Sequence, residues 1–158
     1  MKITDSKDAQ KRLITGLKFP VDTSRCIISS PYYKMRTIDG ETKRYWGIDF
    51  SPAPNDPGYH WQPIYAVADG YVFKNGWQDD KDHKKGFGLR LWQVIEIDGR
   101  KFDIFYGHMF YIIKSDKDIK KGETLGYMGS TGHSTGIHLH IEAREHLTRR
   151  RYGMEFYG

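Results

Sequence analysis

The sequence predicts a mostly β protein whose core is an antiparallel sheet. Residues 26–29 and 64–73 are runs of apolar, β-branched and aromatic side chains bounded by turn residues. Residues 91–97 and 102–109 form two further runs of this kind, with Asp98-Gly99 between them. An Asp-Gly pair favours the two-residue turn of a β-hairpin. We therefore expect the last two runs to pair as neighbouring strands.

Length and composition indicate one domain with a single core. The chain has 158 residues, 38% of them hydrophobic and 28% charged, which is a globular composition. Its formal charge of +5 favours a polyanionic partner, such as nucleic acid, an anionic membrane surface or a bacterial wall polymer. Cys26 is the only cysteine, so an intrachain disulfide and a Cys-based zinc cluster are both excluded.

The first element predicted along the chain is a short helix over residues 6–17. Ala9, Leu13, Ile14 and Leu17 recur at helical spacing, and Pro20 would end the element. The first twenty residues contain no apolar signal-peptide core, and no run of about 18 apolar residues occurs anywhere. We expect neither an export signal nor membrane insertion for the chain shown.

The chain is predicted to have three parts. They are an N-terminal helical arm over residues 1–20, the main β domain over 21–143, and a basic C-terminal tail over 144–158 that packs on or trails the same domain. Within the main domain, the Pro- and Gly-rich segment 51–58 and the charged segment 78–88 are interpreted as surface loops that rim a site.

His138 and His140 form the first candidate functional pattern. They flank Leu139 in an extended apolar run, and side chains alternate across a strand, so both imidazoles project from one face. Two imidazoles in this arrangement can share a metal, or divide the roles of ligand and acid/base. The pattern alone is equally typical of ordinary histidines on a polar sheet face.

The same alternation selects Asp49. Positions 45, 47 and 49 share a face, which leaves Gly47 as open space between Tyr45 and Asp49, a candidate oxygen ligand. A loop over residues 129–136, rich in glycine and hydroxyl groups, precedes His138. Another histidine, His108, lies near the end of the second strand of the predicted hairpin.

These segments together resemble the LytM/lysostaphin-type zinc metallopeptidases, which cut peptide bonds in bacterial peptidoglycan. The resemblance covers roughly residues 28–142, and its pieces occur in the family's order. They include Gly47-Ile48-Asp49-Phe50, Tyr106-Gly107-His108-Met109, the Gly-Ser-Thr-Gly loop and His138-Leu139-His140-Ile141-Glu142. It implies an antiparallel sheet core of the lysostaphin/LytM type, similar to the duplicated hybrid motif, with a short N-terminal helix and long loops rimming a groove.

The resemblance also implies roles for individual residues. Asp49 and His140 match two of the family's zinc ligands. His138 and His108 match the histidines that act on the water and the transition state, so they are the catalytic candidates. Zinc is the implied cofactor, and Lewis-acid activation of water at neutral pH is the chemistry that it supplies in such enzymes.

Position 45 departs from the family pattern. The family has a zinc-binding His there, whereas this chain has Tyr45, and a phenol is a poorer ligand at neutral pH than a neutral imidazole. Three alternatives follow: Tyr45 binds zinc as phenolate, His60 in the neighbouring loop substitutes for it, or the protein acts without catalysis. His60, Trp61, Thr131 and His133 are interpreted as substrate-groove residues.

The predicted function is a zinc-dependent endopeptidase that cleaves peptidoglycan peptides, with a phage lysin or virion-associated wall hydrolase as one setting. The alternative is a catalytically impaired domain that binds cell wall or regulates another hydrolase. Nucleic acid is not expected as a partner, since no RNP-like, KH-like or zinc-finger pattern is present. Because peptidoglycan lies outside the cytoplasmic membrane, the expected site of action is extracellular, periplasmic or virion-associated.

Overall fold

The fold is built almost entirely of β-strands. The computed structural model describes residues 12–30, 35–38, 41–44, 47–54, 62–114 and 117–158, and for 35–38 and 41–44 it describes the backbone alone. The strands are β1 (Leu13–Lys18), β2 (Cys26–Ser30), β3 (Met35–Ile38), β4 (Glu41–Arg44), β5 (Gly47–Pro52), β6 (Pro63–Tyr65), β7 (Gly70–Trp77), β8 (Leu89–Ile97), β9 (Arg100–Gly107), β10 (Met109–Ile112), β11 (Asp118–Ile119), β12 (Thr124–Met128), β13 (Leu139–Glu145) and β14 (Arg151–Tyr157).

One nine-stranded sheet organises the described part of the chain. Its main path runs β1-β14-β13-β9-β8-β7-β11, and β5 joins it by pairing with both β13 and β2. A three-stranded sheet, β10-β12-β6, and the β3-β4 hairpin complete the sheets among the described residues. All pairings are antiparallel except β1 with β14, so the predicted antiparallel core is confirmed.

The predicted hairpin is confirmed at β8 and β9. Their register runs from Leu91 opposite Tyr106 to Ile97 opposite Arg100, which leaves Asp98 and Gly99 as the two turn residues. Both turn residues have positive φ, 51° and 78°, as a type I′ hairpin turn requires.

The predicted N-terminal helix is wrong where the structure describes it, because residues 13–18 form β1. Gly16 adopts φ +76° and the register of β1 against β14 shifts between Ile14 and Leu17. This irregularity turns both Ile14 and Leu17 into the core, where they are 4% and 1% exposed. An apolar spacing that is typical of a helix thus arises from an irregular strand.

The C-terminal segment belongs to the main sheet. β13 continues to Glu145, and after a turn β14 returns beside both β13 and β1. Segment 51–58 also departs from its description as a loop, since Ser51 and Pro52 pair with β2 as the end of β5. The described residues include no helix, and hence none able to cross a membrane.

The core contains buried side chains from one face of the main sheet and from the three-stranded sheet β10-β12-β6. Buried aliphatic side chains of the central strands supply most of it, including Leu91, Ile104, Leu139 and Ile141. Burial of such side chains stabilises the fold by roughly 1.5–3 kcal/mol each.

A buried polar network ties segment 66–69 to the sheet. The Tyr106 hydroxyl donates to Gln93 Oε1 at 2.6 Å and accepts the Val67 N–H at 3.1 Å, while Gln93 Nε2 donates to the Ala68 carbonyl at 2.7 Å. Burial raises the pKa of Tyr106 well above its ordinary value, so the hydroxyl stays protonated and can donate.

We expect Tyr106→Phe to lower the free energy of unfolding by about 1–3 kcal/mol, because the Val67 N–H and Gln93 Oε1 would both remain buried without a partner. Chemical denaturation measures this. Tyr111→Phe is the matched control, since Tyr111 is 57% exposed. Equal stabilities of the two variants would contradict a stabilising role for the network.

Candidate active site

The candidate site forms where β13 lies between β5 and β9. His140 stands directly opposite Asp49 on β5 and opposite Gly107 on β9. Antiparallel partners share a face, so this register places the His140 and Asp49 side chains together on the outer face of the sheet. His138 lies two residues earlier on the same face, immediately before β13, in a bridge with Gly129.

His140 is held between two carboxylates. Its Nδ1 lies 3.0 Å from Asp49 Oδ1, and its Nε2 lies 2.9 Å from Glu142 Oε1. The ring is buried, and Phe87 stacks on it with centroids 5.5 Å apart. Burial disfavours the imidazolium, but hydrogen bonds to Asp49 and Glu142 outweigh it and raise the pKa of His140.

Glu142 contacts His140 through one carboxylate oxygen and Arg144 through the other. Glu142 Oε2 accepts a hydrogen bond from Arg144 Nε at 3.0 Å and forms an ion pair with Nη2 at 2.8 Å. Burial alone would raise the pKa of Glu142, yet His140 and Arg144 lower it to about 2. A permanent carboxylate therefore accepts the Nε2 proton of His140, and Nδ1 faces the Asp49 carboxylate.

His138 is oriented by the loop that precedes β13. Its Nδ1 lies 2.8 Å from the Gly136 carbonyl, which can only accept, so Nδ1 carries the proton. Ser134 Oγ lies 3.3 Å from the same nitrogen. The opposite nitrogen, Nε2, points toward Asp49 and lies 3.9 Å from Oδ1. A neutral His138 thus presents an unprotonated Nε2 to the site.

His108 faces His138 across the site, with ring centroids 4.7 Å apart. Its Nδ1 donates to the Thr131 carbonyl at 2.6 Å, which leaves Nε2 as the free nitrogen. Burial, reinforced by repulsion from His138, lowers the pKa of His108 to about 4, so the ring is neutral at pH 7. Its backbone has φ 60°, an uncommon conformation for a side-chain-bearing residue that is enriched at functional sites.

A cleft of about 950 Å³ opens over these histidines. The described residues that line it are Ser29, Ser30, Asp49, Ser51, Gln78, Gly86, Phe87, His108, His133, Ser134, Thr135, Gly136, Ile137, His138, His140 and Arg144. His133 thus lies on the cleft wall. Thr131 lies behind His108, where its hydroxyl accepts the Leu89 N–H and donates to the Met109 carbonyl.

The structure therefore brings together Asp49, His108, His138 and His140. Tyr45, His60 and Trp61 lie outside the described residues. Three residues at the site were not singled out from the sequence: Phe87, Glu142 and Arg144. Alternation along β13 could have identified the last two, since positions 140, 142 and 144 share one face. Phe87 sits in a charged segment that sequence reasoning assigned to solvent.

Asp49 and His140 fit two corners of a zinc site. Zinc ligands at about 2.0–2.2 Å in tetrahedral geometry are separated by roughly 3.3 Å, close to the 3.0 Å between Oδ1 and Nδ1. A carboxylate on the other ring nitrogen is the usual support for a metal-binding His, and Glu142 occupies that position. Among the described residues, no group of three or more His, Cys, Asp or Glu side chains is arranged to hold a metal ion.

The site thus combines two adjacent ligand candidates, Asp49 and His140, with two further histidines in an open cleft. Residues 43–151 match the family model described as Peptidase family M23, and the chain belongs to that family. The resemblance to the LytM/lysostaphin-type peptidases, predicted from the sequence motifs, is thereby confirmed.

Individual relatives agree with this assignment. The chain is 34% identical over 118 residues to the DD-carboxypeptidase/endopeptidase Mpg of Neisseria meningitidis serogroup B, covering 74% of this chain and 24% of that protein. It thus spans about a quarter of the length of that relative. Glycyl-glycine endopeptidase ALE-1 of Staphylococcus capitis is 30% identical over 98 residues, which cover 62% of this chain and 24% of that protein.

Solved structures give the same fold. A mutant of the catalytic domain of the prophage-encoded M23 protein EnpA from Enterococcus faecalis has a TM-score of 0.60 and 28% identity, covering 85% of this chain and 93% of that one. A zinc-containing peptidase from Vibrio cholerae has a TM-score of 0.63 and 25% identity, covering 84% of this chain and 37% of that one. The lysostaphin/LytM-type fold predicted from the sequence is confirmed.

We expect Gly47→Ala to disturb His140. A Cβ at Gly47 would lie 2.3 Å from His140 Cε1, and the ring cannot retreat because both its nitrogens and one face are already in contact. A cost of about 1–3 kcal/mol in unfolding free energy is typical of such overpacking. Thermal unfolding and the NMR signals of the His140 ring nitrogens measure the effect.

Gly136→Ala is the control for this substitution, since a Cβ there meets nothing within 4 Å. Unchanged His140 signals in Gly47→Ala would contradict the close approach.

Proposed function

We propose that this protein is a zinc-dependent endopeptidase that cleaves peptide bonds of bacterial peptidoglycan. The observation that carries the proposal is the convergence of Asp49, His108, His138 and His140 in the cleft of an M23 family member. Relatives named as peptidoglycan DD-endopeptidase, glycyl-glycine endopeptidase and lysostaphin support the substrate class.

The proposed metal ligands are Asp49 and His140, with Tyr45 or His60 as candidates to complete the set. When bound there, zinc supplies Lewis-acid polarisation of the scissile carbonyl and lowers the pKa of water. Glu142 fixes the tautomer of His140 by accepting its Nε2 proton, so that Nδ1 is the nitrogen available to the metal.

The proposed catalytic residues are His138 and His108. Each donates its Nδ1 proton to a backbone carbonyl, so each presents Nε2 to the cleft. His138 Nε2, beside Asp49, would take a proton from the attacking water and return it to the leaving amine. His108 faces it from the opposite side, where its neutral ring presents an unprotonated Nε2 that would accept a hydrogen bond from the attacking water. The Ser134 and Thr131 contacts keep the two rings oriented.

The proposed site of action lies outside the cytoplasmic membrane, where peptidoglycan is located. A phage or virion-associated role is one setting of the same activity, and the similarity to a prophage-encoded M23 catalytic domain supports it. His133, which lines the cleft, and His60, Trp61 and Thr131 are the proposed substrate-groove residues.

We expect the protein to release new amino groups from purified sacculi in the presence of zinc, and Asp49→Ala and His138→Ala to abolish this release. Loss of a catalytic acid/base typically costs 10²–10⁴-fold in rate. Asp118→Ala and His83→Ala are matched controls, because both residues are exposed and outside the cleft lining. Equal release by wild type and by both site variants would overturn the proposal.

A second candidate function is a cell-wall-binding module without turnover. One observation favours it: Tyr45 stands where the resemblance to LytM/lysostaphin-type peptidases implies a zinc-binding His. Such a module would pellet with sacculi and release nothing from them.

Metal analysis separates the two functions. For the enzyme, we expect close to one zinc per chain in the wild type and its loss in Asp49→Ala, because Asp49 is a proposed metal ligand beside His140. Elemental analysis after dialysis measures this. We expect Tyr45→His to tighten zinc binding, since imidazole is the better ligand at pH 7. Zinc below one-tenth equivalent in the wild type, with sacculi binding retained, would favour the binding module.

A further inference from the structure

Arg144 places a fixed cation in the cleft. It is the third outward-facing residue of the series 140, 142 and 144 on β13. Arg144 is the one lysine or arginine among the described residues that line the cleft. Its side chain is 22% exposed. The catalytic scheme proposed above gives this charge a contact with Glu142 and none with the substrate.

The guanidinium is oriented and only partly satisfied. Nε donates to Glu142 Oε2, Nη2 lies 2.8 Å from the same oxygen as an ion pair, and the group lies 4.8 Å over the ring of Phe105. Stacking on an aromatic face and one ion pair hold its plane in place. Nη1 has no hydrogen-bond partner among the described residues, and one oxygen of one carboxylate does not exhaust five N–H donors.

We propose that Arg144 binds a carboxylate of the peptide substrate, which makes this chain selective for peptides with a free carboxyl group near the cleaved bond. The inference rests on the proposed peptidase function. A planar guanidinium with free donors is suited to carboxylate recognition, and a prearranged one loses little conformational entropy on binding. The residue is a binding residue, separate from the groups that move protons.

The contacts along β13 set the position of that carboxylate. His140 Nε2 lies 2.9 Å from Glu142 Oε1, and Arg144 Nε lies 3.0 Å from Glu142 Oε2, so one carboxylate separates the imidazole from the guanidinium. Successive residues of an extended peptide are spaced by about 3.4 Å. The recognised carboxylate therefore lies within about three residues of the bond beside His140, as a side-chain or a C-terminal group.

The simpler interpretation is that Arg144 only neutralises Glu142. That role would make Arg144 important for every substrate alike, whereas carboxylate recognition makes it important only for substrates that carry the charge. Changing the substrate while leaving the protein intact separates the two.

The experiment uses soluble peptidoglycan fragments, either untreated or with their carboxylates converted to carboxamides by carbodiimide and ammonia. Wild type, Arg144→Gln, Arg144→Lys and the control Lys101→Gln, which removes an exposed cation outside the cleft, are compared on both. We expect amidation to lower kcat/KM of the wild type by about 10- to 100-fold, mainly through KM, as for a charge-assisted hydrogen bond. Arg144→Gln should lose as much on untreated fragments and nothing further on amidated ones.

A binding measurement keeps the inference testable without turnover. N-acetyl-alanyl-alanine, in each enantiomeric form, is titrated against the protein while the Nε–H NMR signal of Arg144 is followed, with the C-terminal carboxamide as control. We expect the carboxylate to move this signal and the carboxamide to leave it unchanged.

The outcomes separate this inference from the proposed function. Cleavage of both fragment types at equal rates, with an unmoved Arg144 signal, would overturn carboxylate recognition and leave the peptidase standing. No cleavage of either fragment, with an Arg144 signal that responds to the carboxylate alone, would overturn the peptidase and leave the carboxylate site. Equal losses in Arg144→Gln on both fragments would assign the residue to support of Glu142.

Discussion

The site depends on one buried imidazole held between two carboxylates. His140 has Asp49 on one ring nitrogen and Glu142 on the other, and Phe87 covers a face of the ring. Two anions around a buried ring require a positive charge between them, either a proton on the imidazole or a metal ion at the Asp49 side. Asp49, Glu142 and Arg144 are arranged so that this charge is compensated within one row of contacts.

The sheet supplies the geometry that the row needs. β13 is flanked by β9 along its length and by β5 over its first half, so the residues of three strands meet at His140. Buried strands in a close-packed core hold their neighbours to within fractions of an ångström. The ligand candidates therefore lie on rigid elements, whereas His108 and His138 are oriented by loop carbonyls at the edge of the same sheet.

Loops close the site by backbone contacts. Segment 78–88 contacts the loop over residues 129–136 through the Gly132 N–H on the His83 carbonyl and the His133 N–H on the Gly86 carbonyl. The same segment accepts the His108 N–H on the Phe87 carbonyl. The exposed charges of this segment keep its outer surface solvated, its backbone builds the cleft wall, and Phe87 packs on the His140 ring.

Local patterns in the sequence determined the β class, the β8-β9 hairpin and the shared face of His138 and His140, because alternation and turn chemistry act over neighbouring residues. Only the tertiary structure decided that residues 13–18 are a strand, since Gly16 and the parallel partner β14 override a helical spacing. It also decided the roles of Phe87, Glu142 and Arg144. Phe87 packs on His140 across 53 residues of sequence, which no local pattern encodes. Alternation places Glu142 and Arg144 on the face of His140, but only the folded sheet shows the contacts of Glu142 with His140 and of Arg144 with Phe105.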